Sequence, residues 1–253
     1  MDIIVCAKQV IDVSEMKVDP NTKKPILTGV AQKISDIDKN AMEEAIKIKE
    51  KNGGKITVVT VGPADAKERI KELLAMGADE GVLVNPPDEF DYRVVSNLLS
   101  GAIKKIGNYD IILCGEASID LFSGQIGPRL AGLLNVPQIT YAQSVNAEKE
   151  KVTAERNMGD QSITTESSYP VLITVTKEIN EPRLPSLMQI LGAANKPINE
   201  WSADSLDAKI DTKVNIIELK GVSMERKNVI FKEDVNDSIT KLVDSLAKEG
   251  LLR

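Results

Sequence analysis

The chain has 253 residues, 42% of them apolar, and a net charge of −6; this suits one large α/β domain, alone or with an extension, and argues against a general nucleic-acid binder, whose footprint is basic. Histidine is absent and cysteine occurs twice, which excludes imidazole acid–base chemistry, a Ser-His-Asp triad and histidine metal ligands, and leaves a zinc site short of donors. The opening MDIIVCAKQV has an acid at position 2 and a short apolar run, unlike a signal peptide, and no run approaches the roughly 20 apolar residues of a membrane helix. The expectation is a cytoplasmic protein without membrane insertion.

In chain order, Ile3–Ala7 reads as a buried strand. Asp38–Lys51 reads as a helix with Ala41, Ala45, Ile46 and Ile48 on one stripe, stopped by Gly53-Gly54. The acids within KIKEKNGGK and around it balance its lysines, as on a solvated helix face. ITVVTV, Ile56–Val61, is a strand rich in β-branched residues. Gly62-Pro63 turns the chain into a helix over Ala66–Met76, which Gly77 ends. A short strand over Gly81–Val84, a helix over Tyr92–Ile106, a strand over Asp110–Cys114 and a helix from about Gly127 to Leu134 follow. This βαβα order predicts a doubly wound parallel sheet with helices on both faces. Cys6 and Cys114 fall inside apolar runs at strand ends and read as small buried residues.

After Pro137 the pattern changes. Lys151–Arg156, Ser162–Ser167 and Val171–Val175 predict a small run of strands. NEPRLPSLMQILGAANKP has three prolines and little periodicity, as in a functional or partner-bound loop. Ser238–Glu249 reads as an amphipathic helix with Ile239, Leu242, Val243 and Leu246 on one face. Two parts are expected: a nucleotide-binding domain over 1–180, with its small strands near 150–176, and a loop with C-terminal extension over 181–253.

Ligands of open parallel sheets sit beyond the carboxyl ends of the strands. Three segments fall there: Cys6–Asp12, Thr60–Pro63 and the loop GEASIDLFSGQIGP, Gly115–Pro128. In that loop Gly124 and Gly127 allow close backbone approach, and the following helix offers its positive end to an anion. Ser123 donates, Gln125 donates or accepts, and Asp120 suits a ribose hydroxyl. A Gly-rich turn capped by Asp120 explains the same residues equally well. The loop matches neither the GxGxxG fingerprint nor a P-loop. The residues alone lead to a nucleotide or phosphate ligand in an α/β sheet.

Five stretches in register carry a resemblance: VCAKQVIDVSEMKVDP, DKNAMEEAIKIKEKNGGKITVVTVGP, LLAMGADEGVLV, GEASIDLFSGQIGP with AGLLNVPQ, and NEPRLPSL. Together they resemble the β subunit family of electron transfer flavoproteins, up to about Ile190. The resemblance implies an adenine nucleotide alpha hydrolase-like, Rossmann-like fold. It also implies a heterodimer with an ETF alpha subunit that carries FAD. An acyl-CoA or related flavin dehydrogenase is the implied redox partner. The β cleft would hold AMP or, in the flavin-bifurcating branch with NADH as donor, a second FAD.

By position, the resemblance places nucleotide contacts on Cys6 and Ala7, on Ser35, Asp36, Ile37 and Asp38, and on Val61. It places others on Gly115, Glu116, Ala117, Ser118, Ile119, Asp120, Ser123, Gly124, Gln125 and Ile126. It makes NEPRLPSL the docking loop, with Leu187 as apolar anchor beside Pro185 and Ile190; a short packed helix is the alternative. Ser35-Asp36-Ile37-Asp38 replaces the family's Asn-Pro-x-Asp, so Asp36 adds a carboxylate that either repels phosphate, tunes a flavin or faces water. The small-Gln-aliphatic-Gly-Pro ending of the loop resembles the bifurcating branch, whereas Leu121 and Phe122 match neither branch. Asn157 stands where relatives are often acidic near the dimer contact.

The expectation is therefore an electron-carrying subunit without catalytic side chains of its own and without a metal, holding FAD in preference to AMP. Lys8 is read as a surface lysine, with flavin tuning as the alternative. The C-terminal helix is expected to wrap the alpha subunit. A stand-alone adenine-nucleotide regulator is the rival of another class. A hydrolase or ligase of the same fold group would need Ser-Gly-Gly-x-Asp/Ser where CAKQVID stands.

Overall fold

The computed structural model describes residues 1–214, 216–221 and 227–252. The chain opens with β1 (Ile3–Cys6), then an arm of four short strands: β2 (Gln9–Ile11), β3 (Lys17–Val18), β4 (Pro25–Ile26) and β5 (Gln32–Ile34). Next come α1 (Asp36–Asn52), β6 (Ile56–Val61), α2 (Ala66–Met76), β7 (Glu80–Asn85), α3 (Tyr92–Ile106), β8 (Ile111–Gly115) and α4 (Ile126–Leu134). The second half holds β9 (Gln138–Ala147), β10 (Lys151–Asn157), β11 (Ser162–Ser168), β12 (Val171–Val175), α5 (Leu187–Ala193), β13 (Ile198–Ser202) and α6 (Val235–Lys248).

Nine strands form one sheet in the order β11-β10-β9-β12-β8-β1-β6-β7-β13. From β9 to β13 every neighbouring pair is parallel; β10 and β11 add an antiparallel ribbon at one edge. The expected doubly wound sheet is thus present. Chain order runs outward from β1 through β6 and β7, then returns to β8 on the other side of β1. That reversal opens a crevice between the carboxyl ends of β1 and β8.

The strands alternate between two cores. Ile3, Val5, Ile56 and Val58 pack with Ala41 and Ala45 of α1 and with Ile70 and Leu73 of α2. Ile4, Val59 and Ile112 pack with Leu98 and Ala102 of α3 and with Leu130 and Ala131 of α4. Both faces are covered, which is why β1, β6 and β8 read as unbroken apolar runs. Each fully buried Ile or Leu contributes roughly 1.5–3 kcal/mol.

Three features depart from the expected elements. The first helix begins at Asp36, not Asp38, because Ser35 already has extended N-cap dihedrals. β9 runs ten residues through QITYAQSVNA, where Thr, Gln and Ser mask the alternation. β13 continues the sheet beyond residue 180, with Ile198 to Ser202 in register with Gly81 to Asn85.

Past β13 the chain crosses α3. Asn97 Nδ2 donates to the Lys209 carbonyl at 2.6 Å, and Asp91 accepts from the Lys213 and Val214 N–H groups. α6, expected at Ser238–Glu249, spans Val235–Lys248 and has no buried residue, so Ile239, Leu242 and Val243 form an exposed apolar face.

Candidate functional site

Where β1 and β8 part, the backbone loses its ladder partners, and buried N–H groups need acceptors. Asp38, in the first turn of α1, supplies them. Its Oδ2 accepts from the Lys8 N–H at 2.8 Å and its Oδ1 from the Gly115 N–H at 3.0 Å. The fit is tight: a Cβ on Gly115 would lie 2.7 Å from Asp38 Oδ1. One buried carboxylate therefore ties the ends of both central strands to a helix.

The expected site residues gather at this end of the sheet. Cys6 ends β1 and Ala7 follows it, Val61 ends β6 and Gly115 ends β8. Ser35 is the N-cap of α1, followed by Asp36, Ile37 and Asp38 in its first turn. Ile37 and Asp38 are buried, whereas Asp36 is half exposed and pairs with Lys33 at 3.1 Å. Glu116, Ala117, Ser118, Ile119 and Asp120 are partly buried along the loop, with Ser123 exposed. Gly124 has φ +62°, and Gln125 is the N-cap of α4, which Ile126 begins. Leu121 and Phe122 face solvent, Phe122 at φ +48°.

Lys8 is not an isolated surface lysine. Its Nζ donates to both Asp120 oxygens, at 2.7 and 2.9 Å, linking the exit of β1 to the loop after β8. Burial pushes the Asp120 carboxyl up, but the Lys8 ammonium, the Ser118 hydroxyl and the Leu121 N–H together outweigh it and hold the group below its ordinary range. Asp38 has no such cation bonded to it, and burial raises it to about 7. Burial also lifts the Cys6 thiol to about 12 and Cys114 well above its usual value. Both thiols are free and inert at neutral pH, as small buried strand residues should be.

The donor set suits a nucleotide. Ser35 Oγ and Thr60 Oγ1 are buried with no hydrogen-bond partner, a state that costs about 1–3 kcal/mol per group unless a ligand or water satisfies it. Ser35 lies beside the exit of β1, its N–H donating to the Lys8 carbonyl at 3.0 Å, and Thr60 lies one residue from the end of β6. α4 has no side-chain cap, so its first N–H groups stay available to an anion. Asp120 offers acceptors and Lys8 a cation. Gln125 is already engaged, its Oε1 accepting from Arg129 Nε at 2.9 Å. Beside the loop lies a concavity of about 320 Å³ lined by Glu116, Tyr141, Gln143, Asn157, Gly159, Thr176 and Glu178. Burial, with Glu178 nearby, raises the Glu116 carboxyl.

Sequence reasoning missed the bridging role of Asp38, the spare hydroxyl of Thr60 and the Lys8–Asp120 pair. Only the acid-rich helix start hinted at the first. Among the described residues no cluster of three metal-ligating side chains occurs, and no helix is long and apolar enough to cross a membrane.

The expected docking residues lie well away in sequence and on the surface. Leu187 is 71% exposed, Ile190 is exposed and Pro185 is partly buried. Leu187–Ala193 do form a short helix, α5, opened by a Ser186–Gln189 capping box, yet only Ala193 of it is buried.

Sheet order and switch-point crevice together define a Rossmann-like α/β protein, with the candidate site at the carboxyl ends of β1, β6 and β8. Residues 26–206 match the family model of the electron transfer flavoprotein domain. The chain is 38% identical over 255 residues to electron transfer flavoprotein subunit beta of Thermoanaerobacterium thermosaccharolyticum, covering 97% of this chain and 98% of that one. Identity is 38% over 252 residues to the protein of the same name from Clostridium acetobutylicum, covering 99% and 95%. It is 38% over 209 residues to the caffeyl-CoA reductase-Etf complex subunit CarD of Acetobacterium woodii, covering 81% and 80%. The chain belongs to the electron transfer flavoprotein family. Membership makes it an electron-transfer subunit associated with flavin, and the stand-alone regulator gives way.

Proposed function

We propose that this chain is the β-type half of a heterodimer whose alpha subunit carries FAD, and that its own cleft holds a second FAD in preference to AMP. What supports a nucleotide there is the pair of buried, unpartnered hydroxyls, Ser35 beside the exit of β1 and Thr60 one residue from the end of β6, at the end of the sheet where Lys8 and Asp120 meet. What favours FAD is the small-Gln-aliphatic-Gly-Pro ending, Gly124 to Pro128. A flavin bound there would supply the redox chemistry, with NADH as hydride donor.

The chain's own residues bind and orient. Asp120 accepts from a ribose hydroxyl, Ser35 and Thr60 donate to the ligand, and the N-terminus of α4 faces phosphate. Cys6, Ala7 and Val61 wall the cleft with apolar surface, and Gly115, Glu116, Ala117, Ser118, Ile119, Ser123, Gly124, Gln125 and Ile126 wrap it. Asp38, raised to about 7, is partly neutral at physiological pH and repels an anionic ligand less than a full carboxylate does.

Residues 1–180 form the nucleotide-binding part, and 181–253 form the docking and partner-wrapping part. Leu187 anchors an acyl-CoA-type flavin dehydrogenase, flanked by Pro185 and Ile190. The name of the Acetobacterium woodii relative, a subunit of a caffeyl-CoA reductase complex, supports that partner class. α6 lays its apolar face on the alpha subunit. The working compartment is the cytoplasm.

Asp120→Ala and Gln125→Ala test the cleft. Each should lower the nucleotide retained per purified heterodimer while circular dichroism shows an intact fold. Unchanged nucleotide content in both variants would remove the loop from the site.

A further inference from the structure

The docking segment leaves the sheet after β12 and meets α1 before reaching α5. Asn40 Nδ2 donates to the Asn180 carbonyl at 2.7 Å, and Asn180 Nδ2 donates back to the Asn40 carbonyl at 3.0 Å and to Glu44 Oε2 at 3.1 Å. Three residues on, the Arg183 guanidinium spans two carboxylates. Nε and Nη2 donate to Glu43 at 2.9 and 3.0 Å, and Nη1 donates to Glu50 at 2.5 Å. The Arg183 N–H adds a bond to Glu43 Oε2 at 3.1 Å. Asn40 and Glu43 or Glu44 are one helical turn apart, and Glu50 follows Glu43 two turns later, along one stripe of α1.

Asn40, Glu43 and Glu44 of this stripe are buried under a loop, where a helix would normally place such residues in water, and Glu50 stays exposed. The Glu43 side chain is 4% exposed and the Arg183 side chain 35%. A buried carboxylate requires its partner, so the contact is a built strap. What it holds is exposed: Leu184 is 92% exposed and Met188 76%. At its far end α5 is fixed by buried Ala193 and by Lys196, whose Nζ donates to the Leu74 and Ala78 carbonyls at 2.9 and 2.6 Å. At its near end, where Leu184 and Leu187 sit, the Asn180–Arg183 strap is the polar attachment.

We infer that Asn180 and Arg183 are positioning residues, which clamp the docking segment to α1 and present Leu184 and Leu187 to the dehydrogenase in a preformed arrangement; this rests on the docking role proposed above. A segment ordered beforehand loses less conformational freedom on binding. The clamp should therefore act on encounter with the dehydrogenase and leave electron transfer within the complex alone.

The test uses the complete heterodimer, reduced by an acyl-CoA dehydrogenase supplied with its acyl-CoA. Arg183→Ala should raise the KM for the heterodimer about tenfold with kcat and bound nucleotide unchanged, a pure loss of binding. Arg183→Lys should fall between, because an ammonium cannot span two carboxylates as a guanidinium fork does. Amide exchange at residues 184–190 should quicken in Arg183→Ala while α1 and the sheet stay protected. If an unpaired Glu43 prevents folding, Arg183→Ala with Glu43→Gln removes both charges and should give the same rise in KM. Leu187→Ala separates the two levels of inference. A raised KM in Leu187→Ala with normal KM and exchange in the Arg183 variants overturns the clamp alone. Normal KM in every variant overturns the docking role itself.

Discussion

Asp38 closes the ladder between β1 and β8 with a single carboxylate, and it does so from a buried position. Burial lifts it to about 7 from an ordinary 3.8, against the pull of the two N–H bonds and of the Lys8 charge, with Asp120 adding a push upward. Between those two values the folded chain keeps a proton that the unfolded chain has released. Its contribution is therefore complete below 3.8, and stability falls as pH rises toward about 7. Asp38→Asn removes this titration, and its amide can accept only one of the two N–H groups. It should cost about 1–3 kcal/mol at the acid end of that window and less as pH rises toward 7, because the variant lacks the decline. Urea unfolding at a series of pH values checks both; an unchanged slope would assign the decline to other groups. The glycines and Asp120 marked the loop after β8 as a candidate site in the sequence. Asp38 was legible as a helix-start acid and, by the resemblance, as a nucleotide contact, but its bridge was not, because its partners are backbone groups 30 and 77 residues away.

At the scale of elements, α4 shows how close packing brings the loop to the sheet. Gly127 is buried in its first turn, and a Cβ there would lie 2.4 Å from Thr174 Cγ2 and 3.4 Å from Cys114 Sγ. Gly127→Ala should push α4 off the sheet, cost about 1–3 kcal/mol by overpacking and weaken nucleotide retention. Thermal melts and nucleotide content check this together; an unaffected melting temperature would mean the helix has room to shift. The α/β half was readable because strands covered on both faces become continuous apolar runs and the intervening helices keep their stripe. Tyr92–Ile106, Ala66–Met76 and Val171–Val175 matched their expected bounds. β9 and β13 escaped notice for the opposite reason. β9 is largely polar, starts parallel to β12 and ends antiparallel to β10, with Tyr141 at φ +58° where the register shifts. β13 is an edge strand of sequence INEWS, held by backbone pairing with β7 and by Trp201 packing, and edge strands need little apolar patterning.

Across the whole molecule, the packed material ends near Leu206, and much of the exposed apolar surface lies beyond it and along residues 184–191. Among the described residues nothing covers Ile216, Ile217, Val229, Ile230 or the face of α6. A chain that buries its sheet so fully and leaves this surface bare is shaped for association. The cleft and the docking segment share α1, whose first turn holds Asp38 and whose later turns hold Glu43 and Glu50. The amphipathic spacing of α6 showed an unpartnered face in the sequence, but no residue pattern could show what lies against it. The most direct measurement is to express this chain with a candidate alpha subunit, purify the complex, denature it and identify the released nucleotides by chromatography. Two FAD per heterodimer is the predicted result. One FAD with one AMP would contradict the assignment of a second flavin to this cleft, and no stable complex with no flavin would contradict the heterodimer itself.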